Sequence, residues 1–234
     1  MKEAIILAGG FGTRLATLLP NICKPMAPVM GKPFIEYLIK YLTEQGFDRI
    51  ILSVGYKNNL IKEYFGNKYK NSQLVYSVEE QPLLTGGAIR QALKKCENDY
   101  VYVFNGDSLC LFDYSILNKF ILELKDDGMK VCIAAKFMNN FDRYGSLEIN
   151  HRSRVVKFNE KKYCKEGLIN VGVYVIKHDA MIECDEKFSL ENDWLPELAK
   201  QKGVFACIID GKFIDIGIPS DYIRAENFIK EWYV

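Results

Sequence analysis

Short apolar runs that stop at glycine alternate, through the first half of the chain, with stretches of helical period. Ala4–Ala8 is apolar throughout and ends on Gly9-Gly10, which predicts a strand buried on both faces, as in a parallel sheet. Phe34, Leu38, Tyr41 and Leu42 share one face of a helix predicted over Phe34–Gln45, with Pro33 before it and Gly46 after it. The same reading predicts strands at Arg49–Val54, Gln73–Ser77, Tyr100–Asn105 and Lys130–Lys136. Between them it predicts helices at Asn58–Phe65, Gly87–Cys96 and Tyr114–Lys125, the last with Asp113 as its N-cap.

The second half is less regular. Gly145–Asn150 and Arg154–Asn159 read as a hairpin, and Val171–Ile176, Val204–Ile209 and Phe213–Ile216 as short strands. Asn192–Lys200 is expected to be helical. Tyr222, Ala225, Ile229 and Trp232 form the apolar stripe of a final helix that begins near Pro219. The repeated β-α order implies an α/β fold: a Rossmann-like, mostly parallel mixed sheet with helices on both faces. No linker or internal repeat divides it, so one domain is expected over 1–234. Ligands of such sheets bind beyond the carboxyl ends of the strands.

Composition narrows the class. Hydrophobic residues make up 49% of the 234 and aromatic residues 13%, enough for a substantial core. Lys+Arg 31 against Asp+Glu 30 leaves +1, with no excess charge to coat a nucleic acid or an anionic membrane. No apolar run approaches the ~18 residues of a membrane span, and the first residues do not form a signal peptide. Seven cysteines at 23, 96, 110, 132, 164, 184 and 207 show neither CxxC spacing nor an even count. They read as free thiols of a reducing cytoplasm rather than as a zinc site or a disulfide framework.

The chemistry begins after the first strand, at Leu7-Ala8-Gly9-Gly10-Phe11-Gly12-Thr13-Arg14-Leu15. Three glycines in four residues let backbone N–H groups close around anionic oxygens, and Arg14 offers phosphate a bidentate fork. The run is not a dinucleotide fingerprint, because the register Gly10-x-Gly12 ends on Leu15. Nor is Gly31-Lys32 a Walker loop, because Pro33 follows it and Met26 stands where the first glycine belongs. By itself the glycine loop reads more readily as a tight strand-to-loop turn that binds nothing. Ten residues after Arg14, however, comes Lys24-Pro25-Met26-Ala27-Pro28-Val29-Met30-Gly31-Lys32-Pro33. Farther on, Tyr100–Asn105 runs into Gly106-Asp107, a carboxylate at a strand's carboxyl end, where it can hold Mg²⁺.

The composite of L-A-G-G-x-G-T-R-L and K-P-x-x-P-x-x-G-K-P resembles the signature of the sugar-1-phosphate nucleotidyltransferases. These enzymes join a nucleoside triphosphate and a sugar 1-phosphate, releasing pyrophosphate. The resemblance implies a nucleotide-diphospho-sugar transferase fold, with a nucleotide half at about 1–135 and a sugar-phosphate half at about 136–234. It implies that Leu7, Ala8, Gly9, Gly10, Gly12 and Thr13 wrap the triphosphate, and that Arg14 and Lys24 are catalytic cations on the phosphates. Cys23 stands where the family usually has proline. Asn105 and Gly106 would complete the nucleotide site, and Asp107 with the Asp215 of Asp215-x-Gly217 would bind Mg²⁺. Asp221 reads instead as a first-turn helix residue.

Glu79-Glu80-Gln81-Pro82-Leu83-Leu84-Thr85-Gly86-Gly87-Ala88 resembles the family's nucleobase segment, with Leu84 in place of a usual glycine. Gln81, Thr85, Gly86 and Gly87 are the expected contacts. A carboxylate or carbonyl near Glu79 to Gln81 suits the N–H donors of guanine, and an exposed acidic loop explains the same residues as well. Gly145 of Tyr144-Gly145, Glu160 and Lys161 of Phe158-x-Glu160-Lys161, and Asn170 of Asn170-x-Gly172 match the family's sugar-phosphate contacts. His151 and His178 read as surface residues. The proposed nucleophile is already anionic, so no general base is needed.

Within the family, Phe213–Tyr222 most resembles the D-glycero-D-manno-heptose 1-phosphate guanylyltransferases and their mannose-1-phosphate relatives. That implies GTP and a heptose 1-phosphate as partners, neither nucleic acid nor membrane, and a possible homodimer. A cytidylyl- or thymidylyltransferase is the alternative within the family. A non-catalytic nucleotide-sugar sensor is the alternative outside it.

Overall fold

Residues 1–10, 22–124 and 127–233 are described by a computed structural model of the chain. In chain order the elements begin with strand β1 (Glu3–Leu7), the short strands β2 (Pro28–Val29) and β3 (Lys32–Pro33), helix α1 (Phe34–Glu44), β4 (Arg49–Val54), α2 (Asn58–Phe65), β5 (Lys68–Tyr69) and β6 (Ser72–Val78). They continue with α3 (Leu84–Leu93), β7 (Tyr100–Asn105), β8 (Ser108–Leu111), α4 (Ser115–Leu124), β9 (Val131–Phe141), β10 (Ser146–Ile149), β11 (Val155–Phe158) and β12 (Cys164–Lys177). Helix α5 (Leu195–Lys200), β13 (Val204–Ile208), β14 (Lys212–Asp215) and α6 (Pro219–Tyr233) complete the order.

One sheet carries the molecule, in the order β11-β10-β12-β7-β1-β4-β6-β5, with β9 paired to β12 and β13. Strands β7, β1, β4 and β6 run parallel, and β12 joins them antiparallel. Alternation along β1 divides the core between the two faces. Ile6 packs with Phe34, Leu38, Leu117 and Ile229 of α1, α4 and α6, whereas Ile5 packs with Ile89, Leu93 and Leu195 of α3 and α5. Both faces of the central strands are therefore covered, which is why those strands read as unbroken apolar runs.

The structure departs most from the sequence expectation at four elements. Strands β9 and β12 are far longer than the segments 130–136 and 171–176. Their extra residues form a ribbon of mixed polar and apolar residues, paired from Cys164↔Phe141 to Asn170↔Ala135, in which no long apolar run marks the strand. Helix α3 begins at Leu84 rather than at Gly87. Strand β8 has no counterpart in the sequence pattern. It is a four-residue run whose partner, β14, lies a hundred residues downstream. Asp113 does cap α4, accepting from the Ser115 N–H at 2.8 Å.

Candidate active site

The expected site residues gather where the carboxyl ends of β1 and β7 meet the β8–β14 pair. The Gly106 N–H donates to the Leu7 carbonyl at 2.9 Å. A Cβ on Gly106 would stand 2.5 Å from that oxygen, so only glycine lets the two strand ends approach this closely. Ala8 donates its N–H to Ser53 (2.7 Å), which fixes the start of the loop. Gly10 is exposed, with open space where a side chain would be. Gly12, Thr13 and Arg14 lie outside the described residues.

Lys24 opens a tight 3-10 turn, Lys24–Met26, stiffened by Pro25 and anchored by the Met26 N–H on the Cys23 carbonyl at 2.8 Å. Cys23 is fully buried, so packing holds the approach to Lys24 where the family pattern has proline. The Lys24 ammonium is paired with Asp107, whose other oxygen accepts from the Ser108 hydroxyl at 3.1 Å.

Asp107 and Asp215 come together through the β8–β14 pair. Ser108 lies opposite Asp215, and the Ile216 N–H donates to the Asp107 carbonyl at 2.9 Å. The Asp215 carboxylate accepts from the Gly217 N–H (2.7 Å), from Arg143 (3.1 and 3.3 Å) and from the Tyr144 hydroxyl. A side chain on Gly217 would fall 2.6 Å from Asp215 Oδ1 and 3.5 Å from Lys24 Nζ, so the ammonium and the second carboxylate flank the same space. Burial, followed by the bond to Asp215, keeps the Tyr144 phenol protonated well above its usual range. Arg143 also pairs with the buried Asp221 in the first turn of α6. Asp221 is therefore a helix-start residue, as its position suggested, and also the anchor of Arg143.

A cavity of about 340 Å³ is lined by Lys24, Asn105, Asp107, Lys161, Asn170 and Asp215. A second, of about 650 Å³, adjoins it and holds Gly145, Glu160, Lys161 and Asn170. The structure thus brings the candidate metal ligands, Lys24 and the sugar-phosphate residues of the described chain to one place. Gly172, at φ +73°, sits in the irregular stretch of β12 pairing between Asn170 and Tyr174. A Cβ there would be 2.7 Å from the Asn105 amide nitrogen. The Asn170 carbonyl oxygen of the side chain accepts from the Gly172 N–H at 2.9 Å, so Asn170 shapes that bend as well as lining both cavities. A Cβ on Gly145 would meet the Asn159 carbonyl at 2.7 Å, so this glycine draws the 142–145 turn against the start of the Asn159-Glu160-Lys161 run.

The nucleobase segment is packed against the 186–191 stretch. Gly86 and Gly87 are buried, and the space a side chain would need there is filled. A Cβ on Gly86 would lie 2.2 Å from the Phe188 ring, and one on Gly87 2.2 Å from the Glu186 carbonyl, while both amides donate to the Phe188 carbonyl. The Thr85 hydroxyl is likewise committed, donating to Glu191 at 2.8 Å and accepting from the Leu190 N–H at 2.9 Å. Leu84, in the glycine's usual place, is held at φ +62°. Gln81 is exposed and lines neither cavity.

Glu79 is the group of this segment that faces the nucleotide loop. Its Oε1 is 2.5 Å from where a Cβ of Gly9 would be, and its Oε2 accepts from the Leu83 N–H at 3.1 Å. Burial raises its pKa above the ordinary carboxylate value. Sequence reasoning missed Arg143, although it stands directly before the Tyr144-Gly145 pair. It also missed Tyr174 and Glu191, whose setting in the larger cavity exists only after folding. All seven cysteines are free, and both histidines are exposed. Among the described residues no helix is long and apolar enough to cross a membrane.

The chain is similar to known proteins over nearly its whole length. The family model for nucleotidyl transferases matches residues 3–231. The D-glycero-alpha-D-manno-heptose 1-phosphate guanylyltransferase of Aneurinibacillus thermoaerophilus is 45% identical over 233 residues, covering 98% of this chain and 99% of the relative. Its counterpart from Campylobacter jejuni is 45% identical over 222 residues, covering 94% and 96%. The crystal structure of HddC from Yersinia pseudotuberculosis complexed with GMP-PN superposes with a TM-score of 0.85 at 39% identity, covering 98% of this chain and all of that one.

Proposed function

The chain belongs to the nucleotidyl transferase family, and we propose that it transfers GMP from GTP to D-glycero-alpha-D-manno-heptose 1-phosphate, giving the GDP-sugar and pyrophosphate. One observation supports this reading above the others: Lys24, Asp107 and Asp215 share a cavity whose wall, at Lys161 and Asn170, is also the wall of a larger polar cavity. A phosphate-transfer centre and a sugar-sized space therefore adjoin. The names of the two relatives at 45% identity point to the same substrates.

In this reading an oxygen of the sugar phosphate attacks the α-phosphorus of GTP in line, the P–O bond to the β-phosphate breaks, and pyrophosphate leaves. The nucleophile is anionic at neutral pH, so the protein's work is alignment and charge neutralisation. Lys161 holds the attacking phosphate. Lys24, with its ammonium already oriented by Asp107, stands on the phosphate being transferred. Arg14 receives the charge that develops on pyrophosphate. Asp107, just before β8, and Asp215, at the end of its partner β14, are two hard oxygen donors, a donor set that fits Mg²⁺. Bound there, the ion supplies further neutralisation of phosphate charge.

Glu79 is the acceptor for the base. A carboxylate takes two donors side by side, and guanine presents N1–H and N2–H₂ together; cytosine and thymine do not. The product is an activated glycosyl donor, of the kind consumed in surface-polysaccharide assembly. Pyrophosphate release, measured over a matrix of nucleoside triphosphates and sugar 1-phosphates, tests the assignment. GTP with the heptose 1-phosphate should give the highest kcat/KM, and Lys24→Ala or Asp107→Ala should lower turnover at least ~10²-fold. Preference for another base, or near-wild-type turnover by both variants, would overturn it.

A further inference from the structure

The two cavities share Asn105, Tyr144, Lys161, Asn170 and Gly172, yet their opposite ends differ in chemistry. Lys24, Asp107 and Asp215 stand at one end. Glu191 and Asn192 stand at the other, over Leu195 and Pro196. A sugar 1-phosphate carries its phosphate on the anomeric carbon. With that phosphate at Lys161, a sugar lying along the larger cavity in the orientation proposed below would bring its exocyclic carbons toward Glu191.

Glu191 is fixed in place before any ligand arrives. The Thr85 hydroxyl donates to its Oε2 at 2.8 Å, and the buried Tyr174 hydroxyl donates to its Oε1 at 3.4 Å. Tyr174 in turn accepts from the Asn170 side-chain amide at 2.8 Å, which ties the acid to a residue lining both cavities. The segment that carries Glu191 begins with a hydrogen bond from the Asn192 N–H to Ser189 Oγ and is pinned by the Leu190 N–H on Thr85. Among the described residues Glu191 forms no ion pair. A carboxylate has about four lone-pair sites, and two of them are occupied here. Glu191 lines the larger cavity, and the natural donors for a carboxylate without an ion pair in such a place are neutral hydroxyls.

We propose that Glu191 is a specificity-determining residue that accepts hydrogen bonds from hydroxyls on the sugar's exocyclic carbons. The proposal rests on the sugar 1-phosphate reading above. A heptose has two such hydroxyls beyond its ring, on C6 and C7, where mannose has one. An acceptor with two open positions distinguishes them, and a site built for a hydroxyl discriminates strongly against a ligand that lacks it.

The test compares kcat/KM for D-glycero-D-manno-heptose 1-phosphate and mannose 1-phosphate, each with GTP, in the wild type and in Glu191→Gln. The heptose-over-mannose preference should fall by at least ~10-fold, the loss expected for one hydrogen bond to a charged group. KM for the sugar phosphate should rise more than KM for GTP. A role confined to holding the Ser189–Trp194 segment would instead lower both sugars' kcat/KM in parallel, and that outcome, or an unchanged preference, refutes the proposal. If Glu191→Gln does not fold, Glu191→Asp, with the charge drawn back by one methylene, reads the same ratio. A wild type inactive on heptose 1-phosphate overturns the functional reading and this inference together. An active wild type whose preference survives substitution overturns only the inference.

Discussion

At the scale of single residues, Glu79 sets function against stability. Its carboxylate lies beside Gly9 and is desolvated, so its native pKa is above 4.5. The folded state then holds that proton more tightly than the unfolded chain does. Its contribution to stability is fully present below the unfolded value and is lost as pH rises through the native one. The ionised form, however, is the one that accepts from guanine. Glu79→Gln should therefore lower kcat/KM for GTP by ~10-fold or more, while its melting temperature relative to wild type climbs between acidic and neutral pH. Thermal scans across that range check the second half, and a constant difference would count against a buried carboxylate. Lys24 and Asp107 stood out by local pattern, Lys24 by the prolines around it and Asp107 by the apolar strand and glycine before it. Arg143 did not, since its partners Asp215 and Asp221 lie more than seventy residues away.

Among the elements, α3 shows how one pattern can serve two ends. Two glycines in a helix's first turn cost helix propensity, which is why propensity alone starts the helix only at the second of them. Packing overrides that cost: Phe188 and the Glu186 carbonyl occupy the space a side chain would need. Gly87→Ala should therefore destabilise the protein by about 1–3 kcal/mol, although alanine favours an isolated helix. The midpoint of urea unfolding measures this, and an unchanged or higher midpoint would contradict the packing described here. Leu84, one turn earlier, carries left-handed strain that glycine would relieve. The central strands were legible because burial on both faces leaves an unbroken apolar run. Strand β8 and the outer parts of β9 and β12 were hidden because their pairing, rather than their hydrophobicity, makes them strands.

For the whole molecule, the final helix supports the candidate site. Asp221 of α6 holds Arg143, Arg143 holds Asp215, and the Tyr222 hydroxyl reaches the Pro28 carbonyl beyond the Lys24 turn. Arg143→Met would leave two carboxylates facing one another, one of them in the buried first turn. The expected loss is about 1–3 kcal/mol, below the full cost of breaking a buried pair because the guanidinium side chain remains 29% exposed. Added salt should recover part of the loss by screening the repulsion. Chemical denaturation at two ionic strengths checks both statements; a variant as stable as wild type at low salt would show that the anchor carries no weight.

The order of amino acids by itself determined the β-α alternation, the phosphate-loop pattern and the acids after β7 and at β14, because each depends on neighbours within a few tens of residues. Only the tertiary structure decided that Asp107 and Asp215 lie side by side, that Gly86 and Gly87 face Phe188, and that Glu191 stands at the far end of a sugar-sized cavity. Those relations depend on which distant strands pair and which surfaces meet. Short-range periodicity carries no record of either.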